Sequence, residues 1–219
     1  LTSPMKKAAS IVVLISGSGS NLQSIIETCQ SDQINGQIKR VISNRPKAFG
    51  LQRASEAGID TLCIDHTKFD SRSAFDAELA KRIIELNPDI VVLAGFMRIL
   101  TPEFVAIFEG KLLNIHPSLL PKYPGLNTHQ RAIDDGQKQA GVTVHFVTAE
   151  LDGGPSILQA EVPILNSDNA DTLAAKVLIE EHKIYPQVIA WLADERLKLI
   201  DGGAFFDQQK LPENGYKTD

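Results

Sequence analysis

No apolar run in this 219-residue chain approaches membrane-spanning length. A bilayer-crossing helix needs roughly 20 consecutive apolar residues, so no helical span is expected. Nor does the chain open with a charged stretch, an apolar core and a small-residue cleavage site, so no secretory leader is expected either. Cysteine is scarce: Cys29 and Cys63 show neither CxxC nor metal-ligand spacing, which excludes a disulfide framework and a zinc ribbon. Free thiols in a reducing cytoplasm are the expectation. Basic residues are outnumbered 22 to 27, leaving a net charge of -5. That balance, with a pI near 5.6, disfavours a general nucleic-acid surface but leaves room for a local basic pocket for a small anion.

No repeat, low-complexity block or linker interrupts the chain, so residues 1–219 read as a single domain. Leu1–Pro4 reads as a processed or non-native start, with residues 1–10 outside the fold. Ile11–Ile15 is an unbroken apolar run, the mark of a strand covered on both faces of a parallel sheet. Similar strands are predicted at 38–43, 61–64, 90–94 and 112–116, alternating with helices at 22–29, 50–57, 73–86 and 102–109. Two strands at 142–147 and 156–163, plausibly antiparallel, and a long helix at 170–192 follow; the residues after Gly203 read as a loose tail. The expected fold is therefore α/β: a doubly wound, mostly parallel sheet, Rossmann-like in its N-terminal half, with an antiparallel extension in the C-terminal half. About 11–110 forms a phosphate-binding half and about 111–212 a catalytic half.

The first strand breaks at Ser16-Gly-Ser-Gly-Ser-Asn21 and a helix follows. Glycines admit close backbone approach, and unsatisfied N–H groups at a helix start attract an anion. The dinucleotide fingerprint fails, because its third glycine falls on Leu22 and the second strand ends in Ser43-Asn44 instead of an acid. The P-loop lysine is missing too. A phosphomonoester fits this loop better than NAD or ATP, and a bare tight turn is the structural alternative.

Leu112-Leu-Asn-Ile-His-Pro117 carries a sharper signal. Residues two apart on a strand share a face, so Asn114 and His116 project together at the carboxyl end, where open α/β sheets place ligands. An amide donor beside a titratable imidazole suits acyl transfer, with the amide holding an oxyanion and the imidazole moving protons. Asp152, in the turn Glu150-Leu-Asp-Gly-Gly154, either caps backbone N–H groups or, brought beside His116, orients that ring and favours its charged form. His145 alternates onto the same strand face as Thr143 and could approach. A metal held by His116, His145 and Asp152 would draw ligands from separate elements without a motif, and none is expected. His66, His129 and His182 have no comparable setting. Arg98 follows a strand and stands either in solvent or as a pocket wall.

The segments Ser16–Asn21, Leu93-Ala-Gly-Phe-Met-Arg-Ile-Leu100, Asn114-Ile-His-Pro-Ser-Leu-Leu-Pro121 and 141–154 together resemble the folate-dependent formyltransferases, over about 11–212. The Gly-Ser-Asn loop is similar to that of the branch whose acceptor is a glycinamide ribonucleotide. The resemblance implies transfer of a formyl group from 10-formyltetrahydrofolate to the amine of 5-phosphoribosylglycinamide, in de novo purine synthesis in the cytoplasm. It implies Asn114, His116 and Asp152 as the catalytic trio. Gly19, Ser20 and Asn21 would hold the phosphate and Glu181 the ribose. Arg72, Met97, Arg98, Ile99, Leu100 and Asn114 would flank the folate, with Thr148, Ala149, Glu150, Leu151 and Asp152 closing on its pterin. Ser18 stands where relatives often carry Asn. No tightly bound cofactor is implied, since the folate is a co-substrate. The expected partners are these small molecules alone, without nucleic acid or membrane, on a monomer or weak homodimer. A tRNA formyltransferase would add a nucleic-acid-binding domain, and a formyltetrahydrofolate hydrolase an N-terminal regulatory one. A non-catalytic folate- or phosphate-binding module is the third alternative; the intact Asn114, His116 and Asp152 set speaks against it.

Overall fold

The computed structural model describes residues 6–149 and 154–219. Its first strand, β1 (Ala9–Ile15), contains the apolar run, and Ile11, Val12, Val13, Leu14 and Ile15 are all wholly buried. The strand begins at Ala9, inside the stretch that sequence placed outside the fold, because Ala9 and Ser10 pair with Gly36 and Gln37. Then follow α1 (Ser20–Gln30), β2 (Gly36–Ser43), α2 (Phe49–Glu56), β3 (Thr61–Cys63), α3 (Arg72–Ile84), β4 (Ile90–Leu93), α4 (Pro102–Ile107) and β5 (Leu112–His116).

These strands lie in the order β5-β4-β1-β2-β3, all parallel. The chain winds one way from β1 to β3 and returns on the other side at β4, so the carboxyl ends of β1 and β4 border the switch-point crevice where such sheets bind ligands. Beyond β5 the sheet changes character. β6 (Gln139–Phe146) pairs antiparallel with β5, and β7 (Ser156–Pro163) antiparallel with β6.

Alternation along β1 divides the interior into two cores. Ile11, Val13 and Ile15 pack with Leu22, Ile25, Val177 and Tyr185 from α1 and α6 (Ala170–Ala193). Val12 and Leu14 pack on the opposite face with Phe75, Leu79, Phe104 and Val105 from α3 and α4. A capping box between Asn169 and Thr172 starts α6. Tyr185 on that helix sends its buried hydroxyl between two strand ends, 2.7 Å from the Leu93 carbonyl and 3.0 Å from that of Leu113.

Two regions depart from the sequence reading. A short helix, α5 (Thr128–Asp134), stands between β5 and β6; seven residues give too little apolar periodicity to declare it. The end of the chain is not a loose tail. β8 (Leu197–Ile200), β9 (Gly203–Phe206) and β10 (Gln209–Lys210) form an antiparallel meander, and β11 (Tyr216–Lys217) runs parallel to β7 at the edge of the main sheet. Strands of two to four residues carry too little alternation to read. Packing holds them instead: the Phe206 ring lies 4.5 Å from Trp191 and 5.9 Å from Tyr216.

Candidate functional site

The glycine loop delivers a bare helix N-terminus. Gly19 caps α1 in the left-handed region (φ 73°), with no side-chain cap and no acid in the first turn. The first N–H groups of a helix have no partner within it, so those of Ser20 and Asn21 face outward at the positive end of the dipole. A Cβ on Gly19 would stand 2.7 Å from the Gly50 Cα, so glycine is required here for space as well as conformation. The Gly50 N–H donates to the Gly17 carbonyl at 3.0 Å, and Arg53 Nε to that of Ser18 at 2.7 Å, which fixes the loop against α2.

Asn21 turns its Nδ2 toward Glu181 Oε1 on α6, at 3.1 Å. Its Oδ1 is buried without a partner among the described residues. Burial pushes the Glu181 carboxyl above the usual range, and the Asn21 bond only partly offsets it. A half-buried carboxyl group beside an orphaned amide oxygen is a polar pair suited to a hydroxyl-bearing ligand.

Asn114 and His116 share a face of β5, opposite His145 and Thr143 of β6. The His145 Nδ1 lies 2.9 Å from the Phe146 carbonyl and therefore carries a hydrogen. In the neutral ring Nε2 then accepts, and Asn114 Nδ2 donates to it at 3.4 Å. This contact fixes which way the Asn114 amide points and leaves its second N–H for an incoming oxygen. His145 is thus the orienting partner of Asn114; its strand position had indicated only that it could approach the site. His129, which sequence set aside, lies close to His116; burial, and then the His116 charge, push its pKa down.

A cavity of about 190 Å³ opens beside Asn114 on the α3–α4 face, lined by Arg98, Ile99, Leu100, His145, Val147 and Thr148 among others. Ala149 also lines it. Met97 is 60% exposed and Arg72 opens α3 in solvent; neither lines the cavity. Arg98 is a pocket wall, its guanidinium 4.7 Å over the Phe75 ring. Glu150, Leu151 and Asp152 lie outside the described residues. Among the described residues no group of three or more His, Cys, Asp or Glu is disposed to hold a metal.

Two buried groups hold the 95–101 segment, and sequence gave no sign of either. The Ser16 hydroxyl accepts from the Met97 N–H at 2.8 Å and donates to Asn44 Oδ1 at 2.5 Å. The Asp76 carboxylate accepts from the Thr101 N–H at 2.7 Å. The loop at the end of β1 and the cavity wall after β4 are thereby tied across the crevice, where the Ser16 N–H also donates to the Gly95 carbonyl at 3.1 Å.

Comparison with known proteins identifies the family. The family model for formyl transferases matches residues 9–189. The chain is 56% identical over 209 residues to phosphoribosylglycinamide formyltransferase from Escherichia coli, covering 95% of this chain and 99% of that one. It is 47% identical over 215 residues to the Haemophilus influenzae protein of the same name, covering 98% and 100%. A solved phosphoribosylglycinamide formyltransferase from Coxiella burnetii superposes with a TM-score of 0.92 at 47% identity, covering 96% of this chain and 99% of that one.

Proposed function

The chain belongs to the formyl transferase family and groups within it with the phosphoribosylglycinamide formyltransferases, and on that premise we propose how its residues carry the reaction. It is a one-carbon transferase that moves the formyl group of 10-formyltetrahydrofolate to the amine of 5-phosphoribosylglycinamide, a step of purine synthesis. The observation that carries the residue assignment is the Asn114–His116 pair on one face of β5, at the sheet end that also carries an anion-ready helix start and a cavity of mixed lining.

The acceptor phosphate sits on the N–H groups of Gly19, Ser20 and Asn21, and Glu181 meets the ribose hydroxyls. The folate enters the cavity on the other face, against Arg98, Ile99, Leu100, Thr148 and Ala149, with Met97 and Arg72 meeting it from outside the lining and Glu150–Asp152 closing over the pterin. It is a co-substrate that leaves as tetrahydrofolate. The amine attacks the formyl carbon, a C–N bond forms, and the carbonyl oxygen takes the negative charge of a tetrahedral intermediate. The free N–H of Asn114 stabilises that oxygen. The amine proton passes through His116 to the departing folate nitrogen as the old C–N bond breaks, and the Asp152 carboxylate steadies the charged imidazole. No covalent enzyme intermediate is needed.

The test is direct. Purified protein is given 10-formyltetrahydrofolate with phosphoribosylglycinamide, water or initiator tRNA as acceptor, and with the dephosphorylated riboside. Formylation of the phosphorylated amine alone, with the riboside far weaker, is expected. Turnover with water in place of the amine would make the protein a hydrolase, and equal use of the riboside would move the acceptor site off the loop.

A further inference from the structure

His116 has two ring nitrogens, and among the described residues one of them is engaged. Nε2 lies 2.8 Å from the main-chain carbonyl of Tyr123. A carbonyl only accepts, so Nε2 must carry a hydrogen, and Nδ1 is left as the nitrogen that can take up or release a proton.

The residue supplying that carbonyl is unusual. Tyr123 has φ 53°, a left-handed conformation that bulky residues seldom adopt unless their surroundings impose it. Those surroundings come from α5 and its cap. The Tyr123 hydroxyl donates to Asp135 Oδ2 at 2.7 Å, and the Arg131 guanidinium lies 5.2 Å over the phenol ring. Arg131 Nη1 also donates to the carbonyls of Pro124 at 2.6 Å and Leu126 at 3.1 Å. On the near side the Ser118 hydroxyl donates to the Lys122 carbonyl at 2.6 Å. One arginine and one aspartate, on α5 and at its C-cap, thus hold the shape of residues 122–126.

We propose that Tyr123, clamped by Arg131 and Asp135, is a positioning residue that locks His116 in its Nε2–H tautomer. The proton moving from amine to folate nitrogen then passes through Nδ1. The inference rests on the proton-transfer role given to His116 above. It explains why a short polar helix stands between β5 and β6: α5 holds the 122–126 segment in a conformation that its own sequence would not adopt.

The experiment labels the histidine side chains with 15N and reads the two His116 nitrogens by NMR in the full chain, beside steady-state kinetics. In the wild type, the shifts of an Nε2–H tautomer are expected. Asp135→Ala and Arg131→Leu should both give a tautomer mixture and lower kcat by about 10- to 100-fold, the loss typical of a small misplacement of a reacting group. KM for both substrates should stay within about twofold. Asp135→Asn keeps an oxygen acceptor for the Tyr123 hydroxyl and should restore both the single tautomer and kcat. An Nδ1–H tautomer in the wild type, or a pure Nε2–H signal with full kcat in Asp135→Ala and Arg131→Leu, would overturn the proposal. A wild type that transfers no formyl group would instead sink the proposed reaction, while the tautomer measurement still stands or falls by itself.

Discussion

Two glycines in the β1–α1 loop should respond oppositely to the same change. Gly19 sits at φ 73°, and a Cβ there would lie 2.7 Å from the Gly50 Cα. Gly50 cannot retreat easily, since it lies in the first turn of α2 and its N–H is held by the Gly17 carbonyl. Placing alanine in the left-handed region costs roughly 1–2 kcal/mol. Forcing apart packed backbone adds roughly 1–3 kcal/mol, so Gly19→Ala should lose about 2–5 kcal/mol in total. Gly17 has nothing within 4 Å of its would-be Cβ and no positive φ. Gly17→Ala should leave stability unchanged or raise it by about 0.4–1 kcal/mol through a less flexible unfolded chain. Urea unfolding at neutral pH measures both. The same displacement turns the first N–H groups of α1 away from the acceptor phosphate. Losing one charge-assisted bond of about 1.5–3 kcal/mol should raise KM for phosphoribosylglycinamide by about 10- to 100-fold, while KM for the folate stays put. If the two alanine variants unfolded at the same urea concentration, the steric reasoning at Gly19 would be wrong.

Asn114→Ala should keep the fold and both substrates yet lose about 10²–10³ in kcat, the usual effect of removing one oxyanion donor; wild-type turnover would strike Asn114 from the mechanism. Glu181→Gln should be more stable than wild type at neutral pH, because burial raises the folded-state pKa of Glu181. The favourable linkage of the acid is present below its unfolded value and is lost as pH rises through the raised one. The stability gap should therefore open upward from about pH 4.5, the ordinary value, as followed by unfolding across pH, with weaker acceptor binding; a gap that closes toward neutral pH refutes the reasoning. Tyr185→Phe removes the hydroxyl shared by the Leu93 and Leu113 carbonyls and should cost about 1–3 kcal/mol, read as a shift in the urea midpoint; an unshifted midpoint would mean that water replaces it.

The parts legible in sequence were those whose signal is local. Five apolar residues in a row predicted β1, and the two-residue spacing of Asn114 and His116 predicted a shared face, because strand periodicity is fixed by backbone geometry. The glycine loop at 16–21 announced the helix that follows it, because glycines permit the tight turn and close backbone approach that such a start needs. What escaped acts through the main chain or across long separations. The Tyr123 carbonyl has no counterpart in the identity of its side chain, and a left-handed tyrosine is invisible until Arg131 and Asp135 surround it. The Ser16–Asn44 bond joins residues 28 apart, and Asp76 reaches Thr101 from another helix. His145 could be placed on the right face of β6, but only the β5–β6 register sets it opposite Asn114. The C-terminal strands were missed because each is too short to show a pattern and depends on contacts with Trp191 and β7.

The two cores on either side of β1 also bear on how such an enzyme can change. On the proposed assignment the acceptor rests on α1 and α6, backed by Leu22, Val177 and Tyr185, while the donor rests on α3 and α4, backed by Phe75, Leu79 and Phe104. The sheet separates these foundations, and the substrates meet only where Asn114 reaches across its end. Repacking beneath one substrate therefore acts first on its own side of the sheet and reaches the other only through links such as Ser16–Met97 and Tyr185–Leu93. A lineage built on this plan can exchange its acceptor by altering the α1–α6 side while inheriting its one-carbon donor intact, provided the β5 strand end stays where it is.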